Sequence, residues 1–182
     1  MMRKPTNAEI QAAFGRTVPD IIAPHLQVLF CGINPSLYSA AVNHHFARPG
    51  NRFWKTLHGA GFTDRLLSPF DDQDLLKFGY GLTNLVDRAT ARADELTSAE
   101  LVNGHQALVA KVQHYQPRCL AILGISAYRT AFAQPKATMG KQDSAVAGTI
   151  VWVLPNPSGL NAHYQLADLQ RVYRELRLAV TA

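Results

Sequence analysis

Apolar residues gather along this chain in two kinds of pattern. Residues 26–33, 119–123 and 149–154 are near-continuous apolar runs. A strand covered on both faces has no solvent side to alternate toward, so such runs predict buried strands of a parallel sheet. A fourth, weaker strand is predicted at residues 81–85. Between these runs the apolar period lengthens to that of a helix. Leu101, Leu108, Val112 and Tyr115 share one face of a predicted helix, with Lys111 and Gln113 pointing away. Ser98 before it and Pro117 after it suit its ends. Leu166, Leu169, Tyr173, Leu176 and Val180 recur at alternating spacings of three and four, which predicts a final amphipathic helix. Strands alternating with helices imply an α/β fold. The expected form is a three-layer α/β/α sandwich with a short, mostly parallel central sheet.

No repeat or linker interrupts the pattern, so residues 21–182 read as one domain. Residues 1–20 are polar and mixed, and read as a loosely attached extension in which Asn7 caps a short helix over residues 8–14. With 182 residues, 47% apolar and 17% charged, the chain has the material for a core and is not a disordered sequence. No run approaches the roughly 18 apolar residues of a membrane span, and the first residues lack the hydrophobic segment of a signal peptide. Cys31 and Cys119 are too few for a disulfide framework or a cysteine-rich metal site. The adjacent His44 and His45 lack a carboxylate or thiolate partner at recognisable spacing, so no metal is expected.

Charge is uneven. Eighteen Lys and Arg against thirteen Asp and Glu give +5, yet residues 21–63 and 101–142 contain no carboxylate at all. Arg48, Arg52 and Lys55 lie in the first stretch, and Lys111, Arg118, Arg129, Lys136 and Lys141 in the second. Acid-free stretches of this kind suit a surface that meets phosphates.

One local pattern occurs twice. The first predicted strand runs into Gly32-Ile33-Asn34-Pro35-Ser36, and the last into Pro155-Asn156-Pro157-Ser158-Gly159-Leu160-Asn161. Ligand sites of open α/β sheets form beyond the carboxyl ends of strands. Proline fixes its own φ and keeps the preceding asparagine extended, so each asparagine is held at a strand end. Between the turns, His44-His45-Phe46-Ala47-Arg48-Pro49-Gly50-Asn51-Arg52-Phe53-Trp54 interleaves aromatic, basic and loop-forming residues. Aromatic faces can stack on bases while Arg and Asn reach phosphates or base edges. Phe53 and Trp54 read as the start of a buried helix, whereas Phe46, flanked by polar residues and followed by a turn, is less suited to the core alone.

At these residues the sequence resembles the mismatch-specific uracil-DNA glycosylases, bacterial relatives of thymine-DNA glycosylase. The resemblance runs over about residues 21–179. It rests on the first turn with the Phe30-Cys31 that precedes it, on Ala47 to Trp54, on Gly81-Leu82-Thr83-Asn84-Leu85-Val86, on Ala121-Ile122-Leu123-Gly124, and on Trp152 to Leu160. It implies hydrolysis of the bond between deoxyribose and a mispaired base, without a cofactor and with the target nucleotide flipped into a pocket. By this resemblance Phe46 stacks on the flipped base, backbone groups around Ile33 bond its edge, and Asn34 positions the attacking water. Asn156 and Ser158 line the site. Gly159, Leu160 and Asn161 form the wedge that enters the duplex. Ser39 and Asn43 fall in the segment facing the pyrimidine C5 side, and the small residues Ser39, Ala40 and Ala41 make a roomy pocket there.

The implied partner is double-stranded DNA with uracil opposite guanine. Thymine, other modified bases and single strands are left open, and good leaving bases are favoured because asparagine cannot take a proton as a carboxylate can. The expected protein is a monomer in the bacterial cytoplasm, at the nucleoid through its DNA binding. No lysine sits in either turn motif, so an abasic product without strand cleavage is expected. Three positions depart from the family pattern: Ser36 in place of a glycine, Asn161 followed by Ala162-His163, and Asp94. Asp94 reads either as a solvated loop acid or as a general base supplied to the site; Asp87, next to Arg88, is a weaker candidate. Two other readings compete: a module that only recognises mispaired or single-stranded DNA, and a hydrolase or transferase of free nucleotides. The second lacks any phosphate-cradling glycine motif.

Overall fold

The computed structural model describes residues 2–182. Four of the strands run parallel: β1 (Val28–Gly32), β2 (Tyr80–Asn84), β3 (Cys119–Leu123) and β5 (Ile150–Leu154). The short β4 (Gly140–Lys141) closes one edge antiparallel to β5. The order across the sheet is β2-β1-β3-β5-β4. Val28 pairs with Tyr80 on one side and with Cys119 on the other. Every residue of β1, β2 and β3 is buried, which is why their sequences do not alternate.

Side-chain direction alternates all the same. Phe30, Cys119, Ala121 and Leu123 point into one core, whose cover is α3 (Phe53–Ala60) and α6 (Leu166–Thr181) through Phe53, Leu57, Leu169, Tyr173 and Leu176. Leu29, Cys31, Leu120 and Ile122 point the other way, under α4 (Ser98–Tyr115) and α5 (Ile125–Ala131), where Leu108, Val112 and Tyr128 meet them. The result is the three-layer sandwich that the strand and helix patterns imply. At the centre of the first core the Phe30 ring meets Phe53, Phe62 and Tyr80 edge-on at 5.7, 5.3 and 6.2 Å, a geometry worth about 1 kcal/mol per pair beyond burial.

Several local expectations shift. The first helix, α1, is Asn7–Gln11 and is capped by Thr6 rather than Asn7. The Thr6 hydroxyl accepts the Glu9 N–H, and Glu9 returns the contact to the Thr6 N–H. The same reciprocal box, Thr97 with Glu100, starts α4, so Ser98 is its first helical residue and not its cap. In both cases the glutamate three residues on selects the cap. Lys111 does not point away: its Nζ lies 2.5 Å from Asp20 Oδ2 and 2.8 Å from Thr83 Oγ1.

The segment preceding residue 21 is built in. Ala13 and Val18 are buried with Leu37, Ala40 and Ala89. Ile21 exchanges backbone bonds with Leu82. Several elements carry no strong sequence signal: α2 (Leu37–Val42), 3₁₀ segments at Pro69–Phe78 and Ala93–Glu95, α5 and the two-residue β4. No helix among the described residues is long and apolar enough to cross a membrane.

Candidate active site

The chain leaves β1 in mid-sheet, and its two neighbours, β2 and β3, are reached by connections that depart to opposite sides. Parallel sheets open a crevice at such a point, beyond the strand ends. A cavity of about 350 Å³ lies there, walled by residues that end or follow all four parallel strands: Gly32 to Ser36, Asn84, Leu123, and Asn156 with Ser158. Ile33, Asn34, Ser39, Phe46, Asp94, Asn156, Ser158, Leu160 and Asn161 all lie on its wall, so residues scattered over most of the sequence converge.

Asn34 is held in one orientation. Its Nδ2 donates to the Arg88 carbonyl at 2.9 Å and to Thr90 Oγ1 at 2.8 Å. A carbonyl only accepts, so the nitrogen must face Arg88, and Oδ1 is the group left for the cavity. Thr90, itself buried, passes its own proton to the Arg92 carbonyl at 2.7 Å and is thereby kept as an acceptor for Asn34. Ile33 is half-buried beside it, and its carbonyl already accepts the Val86 N–H at 2.9 Å.

Phe46 sits with φ +52°, a conformation that costs a non-glycine residue on the order of 1 kcal/mol and recurs at ligand sites. The strained turn lays its ring on Phe53, centroids 4.1 Å apart and 21° from parallel. It also brings the ring edge over Gly32, where a Cβ would come within 3.3 Å of Phe46 Cζ and 2.7 Å of Asn84 Oδ1. Gly32 is therefore a close-approach glycine. Asn84, at the end of β2, lies on the cavity wall with no protein hydrogen bond to its side chain among the described contacts. It falls within the sequence block at residues 81–86, where nothing local distinguishes a wall residue from a strand residue.

Ser39 has a supporting task. Its Oγ accepts the Ala47 N–H at 3.0 Å and the Ser36 hydroxyl at 3.1 Å, tying down the loop that carries Phe46. Ser36 caps α2 through the Ser39 N–H at 3.1 Å, which accounts for a serine at this position. Ala40 faces from α2 into the small core with Ala13 and Val18, Ala41 of the same helix packs against that core, and Asn43 ends the helix at φ +61°. Of the three small residues, only Ser39 reaches the cavity. His44 and His45 are committed as well. His44 Nδ1 lies 3.0 Å from Asp72 Oδ2, and His45 Nε2 lies 2.8 Å from the Pro19 carbonyl. Burial, the main cause, lowers the His45 pKa from its ordinary 6.5. No group of three or more His, Cys, Asp or Glu among the described residues could hold a metal ion.

The second turn is a nest of side-chain-to-backbone bonds. Asn156 Oδ1 accepts the Ser158 N–H at 2.9 Å, Ser158 Oγ accepts the Leu160 N–H at 3.2 Å, and Asn161 Nδ2 donates to the Asn156 carbonyl at 3.0 Å. Arg52 holds the nest from below. Its guanidinium donates to the carbonyls of Pro157, Ser158, Asn161 and Tyr164, the Ser158 bond being 2.6 Å long. A basic residue that suited a phosphate contact by sequence is thus spent on the loop itself. Gly159 lies against Gly50, whose carbonyl oxygen would be 2.8 Å from a Cβ there. Leu160 stands out beyond it, 65% exposed.

Asp94 is the one carboxylate among the described residues of the wall. It sits on the exposed rim, in a short 3₁₀ turn, with Oδ2 accepting from Arg92 Nη2 at 2.6 Å. Asp87 is not on the wall.

Residues 19–177 match the family described as the Uracil DNA glycosylase superfamily. The fold is similar to the solution structure of a candidate uracil DNA glycosylase from Methanosarcina acetivorans, with a TM-score of 0.59 at 19% identity. That match covers 90% of this chain and 99% of the other.

Proposed function

The chain belongs to the uracil DNA glycosylase superfamily, and from that premise we propose that it removes uracil opposite guanine from duplex DNA by hydrolysis, leaving an abasic site. The observation that carries this reading is the pinned amide of Asn34 on the wall of the cavity, which leaves its Oδ1 without a protein partner and available to a water beside a flipped base. An oxygen that can only accept orients a water through one of its protons and presents the water's lone pair to the sugar.

In the proposed reaction the base stacks on the cavity side of Phe46, whose far side is braced by Phe53. The unpartnered amide of Asn84 both donates and accepts, which matches the imide edge of a uracil. Backbone N–H groups of the turn at Ile33 add to it. As the glycosidic bond breaks, the electron pair leaves with the base and the sugar becomes oxocarbenium-like. Fixed donors around the leaving oxygen then contribute on the order of 3 kcal/mol each. The water oxygen bonds to C1′, and its proton passes to bulk solvent or to Asp94 on the rim. Leu160 fills the space vacated in the duplex, with Gly159 and Asn161 beside it, and Asn156 with Ser158 shapes the wall. No lysine is among the described residues of the wall, which supports a hydrolase rather than an imine-forming lyase. We propose that it acts as a monomer and that residues 21–182 are the catalytic domain, completed by the packed N-terminal segment whose Val18 reaches the cavity wall.

Single-turnover incubation with a duplex holding one G·U pair, followed by alkali, tests the reading. Cleavage only after alkali, reduced about a hundredfold by Asn34→Ala, is expected for loss of a positioning group. Binding without product on G·U, G·T and single-stranded uracil would establish a DNA-recognition module instead.

A further inference from the structure

The carbonyl that orients Asn34 belongs to a residue with an anchor of its own. Arg88 Nε donates to Glu100 Oε1 at 2.5 Å, and its Nη2 donates to Glu100 Oε2 at 3.2 Å, a forked pairing that fixes the plane of the guanidinium. Glu100 lies in the first turn of α4, where its Oε2 also accepts the Thr97 N–H at 2.8 Å and the Thr97 hydroxyl at 3.2 Å. One carboxylate therefore starts an 18-residue helix and grips the side chain whose backbone holds Asn34. The Arg88 guanidinium foremost, with the Thr97 amide, draws the Glu100 carboxyl down to about 2, so the grip persists at any pH near neutral.

The same short segment is bracketed from the other side. The Gly15 N–H donates to the Ala89 carbonyl at 2.9 Å, and the Ala89 N–H donates to the Arg16 carbonyl at 2.8 Å. The Phe14 ring lies 5.7 Å from the guanidinium carbon. Residues 88–90 are thus clamped between the N-terminal segment and α4. They include both acceptors of the Asn34 amide, the Arg88 carbonyl and Thr90 Oγ1.

We propose that Glu100, acting through Arg88, is a positioning residue for Asn34. It sets the Arg88 carbonyl so that the amide oxygen of Asn34 meets the attacking water in line with the glycosidic bond. The inference deepens the glycosylase reading and rests on it for the identity of the water. Glu100 and Arg88 are both absent from the cavity wall, so their effect reaches the reaction through Asn34 and not by contact with DNA or base.

Glu100→Gln separates this role from a merely structural one. Glutamine at the third helical position still closes the capping box, but it offers Arg88 one neutral oxygen in place of two anionic ones. Uracil excision at saturating enzyme should fall about tenfold, since drift of a positioning group by a fraction of an ångström costs up to about a hundredfold. The DNA dissociation constant should not change. In an Asn34→Ala background, assayed with 5-fluorouracil as a better leaving base, the same substitution should alter the rate by less than about twofold. The Asn34 side-chain NH₂ signal, identified by its loss in Asn34→Ala, should shift and exchange faster in Glu100→Gln. Arg88→Lys, which keeps the charge and loses the fork, should behave alike. A wild-type rate in Glu100→Gln, or equal losses with and without Asn34, overturns the proposal. If the wild-type protein excises no base, the glycosylase reading fails. The amide signal alone then decides the clamp: a shifted signal upholds it and an unmoved one refutes it.

Discussion

Arg52→Ala tests whether the second turn is held by its neighbour or by its own bonds. The guanidinium donates to four carbonyls between Pro157 and Tyr164. Hydrogen bonds to a charged group contribute roughly 1.5–3 kcal/mol each, so a simple sum reaches about 6–12 kcal/mol. That sum overstates the loss, because Ser158, Asn161 and Tyr164 are only half-buried, so that their freed carbonyls regain water, and the Pro157 carbonyl keeps the backbone N–H of residue 52. The internal bonds of Asn156, Ser158 and Asn161 also survive. A loss of about 2–3 kcal/mol is therefore expected, which for a domain of this size lowers Tm by roughly 5–10 °C. Thermal unfolding measures the first quantity, and hydrogen exchange at the Leu160 and Asn161 amides reports whether the loss is local. Arg52→Lys should recover only part of it, since an ammonium on a flexible stem cannot reach four carbonyls at once. A fall in Tm below about 2 °C with unchanged exchange at both amides would show that the nest stands alone.

Other outcomes follow from the same geometry. Asp94→Asn should lower single-turnover excision by less than about tenfold at unchanged DNA affinity, as expected of a solvated base on the rim; an equal rate removes it from the mechanism. Gly32→Ala places a methyl 2.7 Å from Asn84 Oδ1 and 3.3 Å from the Phe46 ring, and should cut excision far more than it lowers Tm. A crystal structure of that variant with Phe46 and Asn84 unmoved would contradict the close-approach account. His45 is buried with its pKa lowered from 6.5, so between the folded and ordinary values the unfolded chain binds more protons and stability rises with pH. The contribution is whole above about pH 6.5 and is lost as pH falls below it. Urea unfolding at pH 5 and 7.5 should show a difference that shrinks in His45→Gln, and an unchanged difference would refute the assignment.

The helix starts show how near the sequence came to the answer and where it fell short. Thr6 and Thr97 each precede a glutamate by three residues, a spacing visible in the sequence, although Asn7 and Ser98 are of residue types that rank above threonine as caps. The α2 helix, of six residues, is too short for an apolar period to be seen. The N-terminal segment looked detached because its burial rests on two small or branched residues, Ala13 and Val18, that meet α2 and Ala89 only after folding.

What the sequence determined by itself was local in origin. Continuous apolar runs pointed to strands, fully covered at β1 and β3 though Ile150 of β5 is exposed, and two Asn-Pro turns at their ends pointed to one rim of a parallel sheet. Those facts brought Asn34, Asn156 and their neighbours into one place before any contact was known. The tertiary structure alone decided what each side chain does there. Asn34 is oriented by residues 54 and 56 positions away, and Arg52 is spent on carbonyls 105 to 112 positions away. Ser39 ties down the loop that carries Phe46 from its place on the wall, and Asn84 joins that wall. Periodicity and turn chemistry act within a few residues, whereas a donor's partner depends on which distant segment the fold lays beside it.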